Sequence, residues 1–275
     1  GIEEAALDAR LLLEAVCGTD RNDLLVHGEQ PVAPEAEEKY LNWIRQRAEH
    51  IPLQQLTGEQ GFMGLTFSVN EHVLIPRQDT EILVEEVLKE LHDGMRVLDM
   101  CTGSGCILLS LLHYSNDCEG LGVDLSAEAL EVAGRNVLKV LTPEKAEHAH
   151  FLQSDLFEKV EGKFEIIVSN PPYIASAEVE KLMPEVRDHE PRMALDGTED
   201  GLYFYRRIIE EAGKHLVSSG MLFFEIGYDQ GQAVSELMRT EGYCDVQVVQ
   251  DYAGLDRVVF GTYVTVQPAP FAKSR

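Results

Sequence analysis

Hydrophobic patterning changes character twice along the chain. From Glu3 to Val16 the apolar residues Ala6, Ala9, Leu12, Leu13 and Val16 recur at helical spacing, and from Pro34 to His50 the residues Tyr40, Trp43, Ile44 and Arg47 repeat the pattern. Residues 1–52 therefore read as a small helical domain. Short helices alone bury little surface, so this unit must pack on something or hold a partner. Between Pro52 and Pro76, Gly58, Gly61 and Gly64 punctuate the segment, and Leu65, Phe67 and Val69 alternate with Thr66 and Ser68. That alternation predicts a connecting β-hairpin over 53–76.

After Pro76 the texture becomes strand alternating with helix. Arg96 to Met100 predicts a strand, a glycine turn and then a helix through Leu112; Gly120 to Asp124 predicts a second strand, followed by a helix from Ala127 to Leu141. Further strands are expected at His150 to Ser154, Phe164 to Ser169, Gly220 to Glu225, Asp245 to Val249 and Arg257 to Tyr263. The interval is that of an α/β fold: a doubly wound, mostly parallel Rossmann-like sheet over 77–266, with its ligand at the carboxyl ends of the strands near the switch point. The tail 267–275, with Pro268 and Pro270, is expected to be flexible.

Candidate chemistry gathers at those strand ends. The first strand runs into Asp99-Met100-Cys101-Thr102-Gly103-Ser104-Gly105, whose glycines let backbone approach a ligand and whose end opens a helix. The turn lacks the Lys-Ser/Thr of a triphosphate loop, and Leu108 stands where a dinucleotide fingerprint has its third glycine. Asp124, followed by Leu125, ends the second strand and suits the two hydroxyls of a ribose. Asp155, next to Leu156, suits an adenine amino group or a helix cap, and spacing leaves both open.

The fourth strand delivers Asn170-Pro171-Pro172-Tyr173 to the same edge. Two prolines fix the backbone and remove donors, which leaves the Pro171 carbonyl as a rigid acceptor; the side-chain oxygen of Asn170 is a second. Two such acceptors match the two hydrogens of a planar –NH2 group and aim its nitrogen at an incoming methyl, while Tyr173 stacks on the flat substrate. Methyl transfer from a sulfonium is an in-line displacement, so acceptors on the N–H bonds stabilise charge as it develops on nitrogen. The expected cofactor is S-adenosyl-L-methionine.

Composition narrows the classes. The chain of 275 residues carries 23 Lys plus Arg against 48 Asp plus Glu, a formal charge of −25 that repels a phosphate backbone at long range. No run approaches the ~18 apolar residues of a membrane span, and Gly1-Ile2-Glu3-Glu4 lacks the basic-then-apolar order of a signal peptide, so a cytoplasmic protein is expected. Its five cysteines, Cys17, Cys101, Cys106, Cys118 and Cys244, are odd in number and form no C-x-x-C pair, and the histidines are scattered. Disulfide framework and metal site are both excluded by this reading.

With these residues the sequence closely resembles the HemK/PrmC family, the peptide chain release factor N5-glutamine methyltransferases, over nearly the whole chain. The likeness also takes in Leu74-Ile75-Pro76-Arg77-Gln78-Asp79-Thr80-Glu81, His189-Glu190-Pro191-Arg192-Met193-Ala194-Leu195, Asp200-Gly201-Leu202 and Glu225-Ile226-Gly227-Tyr228-Asp229-Gln230-Gly231. It implies that Thr102, Gly103 and Gly105 line the methionine and ribose of the cofactor, that Asp124 holds the ribose, and that Asn170 to Tyr173 hold a substrate glutamine. Arg77 to Glu81 would approach the methionine portion, with a helix cap by Thr80 as the equal alternative, and Glu190-Pro191-Arg192 would be a brace. The implied substrate is the glutamine of the Gly-Gly-Gln loop in class I peptide chain release factors, met by a monomer. Three positions depart from the family pattern: Cys101 and Thr198 replace usual glycines, and Leu156 replaces a frequent aromatic.

The rivals make different demands. An adenine-N6 DNA or guanine-N2 RNA methyltransferase uses the same tetrad on a flipped base but needs basic grooves, so no stable nucleic-acid binding is expected here. An NAD-dependent oxidoreductase needs a fuller fingerprint and a hydride-handling acid or base. A silent binding module needs neither Asn170 nor Asp124.

Overall fold

The computed structural model describes residues 1–264; the expected tail at 267–275 lies outside the described residues. The chain opens with four helices, α1 (Ala5–Cys17), α2 (Arg21–His27), α3 (Pro34–Ala48) and α4 (Leu53–Thr57). Local chemistry sets their ends. Gly18 at φ 64 closes α1, an Asp20–Asp23 capping box opens α2, and Pro34 starts α3 with Glu35 and Glu37 in the first turn and Arg45 and Arg47 in the last, matching the helix dipole. Leu12 is the one buried side chain within these helices.

The expected hairpin segment 53–76 begins instead with the short helix α4, so the helical unit runs past residue 52. Within that segment strands β1 (Glu59–Phe62) and β2 (Leu65–Ser68) form a hairpin, paired Phe62 to Leu65. Its two-residue turn puts Met63 at φ 51 and Gly64 at φ 70, the left-handed pair that matches strand twist. The hairpin is more than a connection. Phe62 and Phe67 are buried in the same apolar cluster as Leu83, Val97 and Leu108, so it covers one face of the main sheet.

That sheet has seven strands in the order β5-β4-β3-β6-β7-β9-β8. They are β3 (Arg96–Met100), β4 (Glu119–Asp124), β5 (Ala149–Gln153), β6 (Phe164–Ser169), β7 (Leu216–Glu225), β8 (Tyr243–Gln250) and β9 (Asp256–Tyr263). Pairing is parallel from β5 through β7, and β9 runs antiparallel to both β7 and β8. The chain winds outward from β3 through β4 to β5, then returns to place β6 on the other side of β3. The switch point therefore falls between β3 and β6, where ligands bind in such sheets.

The period of two along each strand assigns its side chains to two cores. Val97, Ile166, Val168 and Phe223 join the cluster with the hairpin and helices α5 (Asp79–Glu90) and α6 (Cys106–Tyr114). Their neighbours Leu98, Met100, Ile167, Leu222 and Phe224 face the opposite cluster. There they meet Tyr205, Ile208, Val234 and Met238 from the later helices over Tyr203–Ala212 and Gly231–Thr240. Strands covered on both sides read as near-continuous apolar runs, which is why their positions were legible. The difference lies in β7, which begins at Leu216, ahead of the expected Gly220. The polar run Ser218-Ser219-Gly220 hides its first half, and there the register jumps between Phe164↔Leu216 and Ile166↔Met221.

Candidate active site

The carboxyl ends of β3, β4 and β6 open into a cavity of about 220 Å³. Of the residues singled out in the sequence, Cys101, Thr102, Gly103, Ser104, Asp124, Leu125, Asp155, Leu156, Asn170 and Pro172 line it. Asp99, Gly105, Pro171 and Tyr173 lie outside that lining. Asp99 sits wholly buried beneath the turn, where its Oδ2 accepts from the Thr102 hydroxyl at 2.6 Å and the Leu108 amide at 3.3 Å. Burial pushes its carboxyl up to about 7 against those two bonds, and its Oδ1 has no partner. Gly105 has φ 78, and a Cβ there would stand 3.2 Å from both Ala133 Cβ and Leu109 Cδ1. It is glycine for packing as well as for conformation.

Gly103 differs. It also has a positive φ, 54, yet nothing lies within 4 Å of where its Cβ would be, so backbone is exposed to open space at the cavity wall. Asp124 frames that space: its Oδ2 accepts from the Gly103 amide at 2.9 Å and its Oδ1 from the Ser126 amide at 2.9 Å. Each oxygen keeps a lone pair for a ligand hydroxyl. Burial raises the Asp124 carboxyl, opposed by these backbone amides.

Asp155 is ion-paired with Arg207 at 2.9 Å and remains part-exposed at the rim. Cys101 has φ 63, Leu156 φ 47 and Thr198 φ 71, so all three departures from the family pattern fall on left-handed backbone. Side chains there cost roughly 1–2 kcal/mol relative to glycine, which gives the usual glycines at two of these positions a physical reason. Burial raises the Cys101 thiol, so it lines the cavity as an inert neutral group.

On the far wall, Asn170 donates from Nδ2 to the Thr80 hydroxyl at 3.4 Å. Its carbonyl oxygen is left for another donor. Tyr173 donates its hydroxyl to Glu225 Oε1 at 3.3 Å, and its main-chain carbonyl accepts from Gln230 Nε2 at 3.0 Å, with its ring against the second core cluster. Thr80 is no helix cap. The helix α5 begins at Asp79 after Gln78, without a side-chain cap, and Thr80, its second residue, is buried on the cavity wall.

Residues that the spacing arguments missed complete the walls. A strap over residues 72–77 contributes His72, Val73, Leu74, Pro76 and Arg77 to the same lining as the glycine turn. The brace reading of Glu190 agrees with its contacts: it is buried, accepts from the Ile75 amide at 3.1 Å and pairs with Arg77, and thereby ties the strap to Pro191 and Met193 on the rim. Asn136 was not foreseen. Buried, it accepts from Ser68 N at 2.7 Å and donates to Ser68 O at 3.0 Å and Ser104 O at 2.9 Å, so it joins the hairpin to the glycine turn. A lone Asn in an amphipathic helix carries no signal of such a role. Among the described residues no group of His, Cys, Asp or Glu is placed to hold a metal ion.

Known proteins resemble this chain in sequence and fold. Residues 1–58 match the PrmC N-terminal domain family and residues 77–186 the methyltransferase small domain family. A release factor glutamine methyltransferase of Geobacter sulfurreducens is 41% identical over 262 residues, covering 95% of this chain and 90% of that protein. Its counterpart in Moorella thermoacetica is 44% identical over 261 residues, covering 94% of this chain and 91% of the counterpart. A methyltransferase of known crystal structure from Pyrococcus furiosus, 18% identical, superposes with a TM-score of 0.54 over 80% of this chain and 99% of its own, which shows a common fold.

Proposed function

The chain belongs to the release factor glutamine methyltransferase family, and we propose that it moves a methyl group from S-adenosylmethionine to the side-chain amide nitrogen, N5, of the glutamine in the Gly-Gly-Gln loop of class I peptide chain release factors. The observation that carries the residue assignment is the single cavity shared by Asp124 and the open backbone of Gly103 on one wall and Asn170 on the other. Those residues fit the cofactor: spare lone pairs on Asp124 suit ribose hydroxyls, and the space beside Gly103 admits a ligand close to the backbone. A dinucleotide fits less well, because Leu108 replaces the third fingerprint glycine and is fully buried in the core.

The cofactor supplies an electrophilic methyl on a sulfonium sulfur. This chain supplies orientation. Asn170 Oδ1 accepts one N–H bond of the substrate carboxamide from the cavity wall, and the carbonyl of Pro171, next in the chain but outside that lining, takes the second once the substrate reaches it. Together they hold the nitrogen on the line of attack and stabilise the positive charge that develops there. An amide nitrogen has a delocalised lone pair, so the clamp favours partial pyramidalisation and needs no strong base beforehand. As the N–CH3 bond forms the S–CH3 bond breaks to leave a neutral thioether, and the strongly acidic methylated nitrogen then loses one N–H proton to water. Burial raises the Tyr173 phenol and keeps it neutral; packed against the core outside the cavity lining, it braces the tetrad from behind, where the sequence alone suggests a ring stacked on the substrate.

No described helix is long and apolar enough to cross a membrane. We place the reaction in the cytoplasm, where the five cysteines stay reduced, as the family's protein substrate implies. Mass spectrometry after incubation with an intact class I release factor and the methyl donor tests the reading. A gain of one methyl on the loop glutamine is expected. Methylated DNA or RNA beside an untouched release factor overturns it.

A further inference from the structure

One buried acid is left unused by that mechanism. Glu225 ends β7 next to the end of β6, where Phe224 pairs with Ser169, and its carboxylate is buried behind the tetrad. Its Oε1 accepts from the Tyr173 hydroxyl at 3.3 Å. Its Oε2 is buried without a hydrogen-bond partner, and the Thr80 hydroxyl faces the same carboxylate without reaching full hydrogen-bond geometry. Thr80 Oγ1 already accepts from Asn170 Nδ2 at 3.4 Å. A hydroxyl has one proton and two lone pairs. With a lone pair engaged by Asn170, the proton of Thr80 remains for the orphan oxygen of Glu225.

We propose that Glu225 is a positioning residue that acts through Thr80 to set which way round the Asn170 carboxamide is held, and that it holds Tyr173 by its other oxygen. The proposal rests on the methyl-transfer reading. Its logic is one of polarity. An ionised carboxylate can only accept, so Thr80 must donate to it and can then only accept from Asn170. Asn170 must therefore turn its NH2 toward Thr80 and its carbonyl toward the substrate amide. A protonated Glu225 breaks this sequence, because it can donate to Thr80 and release the Thr80 proton for Asn170 Oδ1. The turned-over carboxamide then offers NH2 to NH2, the wrong partner for the substrate.

The surroundings make that exchange accessible. Burial pushes the Glu225 carboxyl up to about 7; Thr80, Arg257 and Tyr173 oppose the rise, and Asp79 adds to it. Thr80 and Asp79 face it from α5, Arg257 from β9, and Tyr173 from the tetrad, while the Tyr205 hydroxyl donates to its main-chain carbonyl at 2.9 Å. Arg257 is itself shared with Asp79 at 3.2 Å and Asp251 at 3.1 Å.

The test compares the full-length chain with Thr80→Val, Thr80→Ser and Glu225→Gln. Thr80→Val should lower kcat on the intact release factor by about tenfold or more, short of the loss expected for removing the oriented acceptor itself. Thr80→Ser should restore kcat to within about threefold, and S-adenosylhomocysteine affinity should stay within about threefold throughout. Wild-type kcat should fall as pH drops through about 7, and Glu225→Gln should be slow and flat across that range. Independently of activity, the Asn170 side-chain amide resonances, assigned with Asn170→Asp, should titrate in the wild type and stop doing so in Thr80→Val. Unchanged kcat in Thr80→Val, or Asn170 resonances indifferent to pH, overturns the proposal. Titrating Asn170 resonances in a wild type that fails to methylate the release factor support the positioning role and strike the substrate assignment instead.

Discussion

The two ends of the molecule are held together by different forces. The helical unit α1 to α4 buries a single side chain in its helices, Leu12, and meets the rest of the chain largely through polar contacts. Arg47 binds Asp8 at 2.7 Å within the unit and Glu185 at 3.2 Å across it, His50 reaches Glu185 at 2.9 Å, and Gln55 donates to the His189 carbonyl at 2.7 Å. The sheet domain instead encloses two large apolar clusters, one on each face of the sheet. A site that must hold reacting atoms within fractions of an ångström belongs on the rigid part. A surface that must recognise a large partner gains from polar, adaptable contacts, and the helical unit is tied to the segment that carries the cavity rim.

The sharpest break of that contrast is at Asn170. Replacing it with Ala removes one oriented acceptor, so methyl transfer should fall by about a hundredfold or more, with cofactor affinity within a few-fold. Rate measured beside calorimetry with S-adenosylhomocysteine checks it; near-normal turnover would sink the amide clamp. Asp124→Ala acts on the opposite wall and should do the reverse, weakening cofactor binding by about 1–3 kcal/mol, the usual size for charge-assisted hydrogen bonds. NAD binding without response to S-adenosylhomocysteine would remove the basis for both.

At the polar end, Arg47→Ala breaks the pairs with Asp8 and Glu185. The KM for an intact release factor should rise several-fold, kcat should hold, and reaction with a short Gly-Gly-Gln peptide should not change, because the peptide never reaches this unit. Equal losses on both substrates would mean that the helical unit supports the site rather than the partner.

The sequence shows one side of this contrast, the apolar sheet, and not the polar ties of the helical unit to Glu185 and His189. Strands such as Val97-Leu98 and Phe164 to Val168 announced themselves because both faces are covered, and the tetrad did so because Asn and Tyr around two prolines have little other use. Other features stayed hidden for physical reasons. The clasp of Asn136 depends on backbone atoms far along the chain, Ser68 and Ser104, which no local pattern contains, and the brace of Glu190 follows from the resemblance while its partner, the Ile75 amide, does not. Thr80 near a helix start looks like a cap, and only the path of α5 turns it inward. Glu225, at the end of an apolar strand, was legible through resemblance and not through its chemistry.

The smallest expected effect concerns the rigid end and what its burial costs. Asp99 is fully buried with no cation against it, and its carboxyl is pushed up to about 7 from an ordinary value of 3.8. Below pH 3.8 folded and unfolded chains both hold the proton, so the group is neutral to stability changes there. Between that pH and about 7 the unfolded chain releases the proton while the folded chain keeps it, so stability falls as pH rises through the window and levels off above it. Asp99→Asn preserves an acceptor for the Thr102 hydroxyl and the Leu108 amide and removes the titration. Its melting temperature should therefore match the wild type at the acid end of the window and exceed it at pH 8 by at least about 2–4 °C, the shift that the first ~1 kcal/mol of the linkage produces in a chain of this size. Glu225 titrates in the same window and keeps some slope in the variant. A pH profile of melting parallel to the wild type would show that the Asp99 proton is not held by burial, and that the rigid end tolerates a charge there.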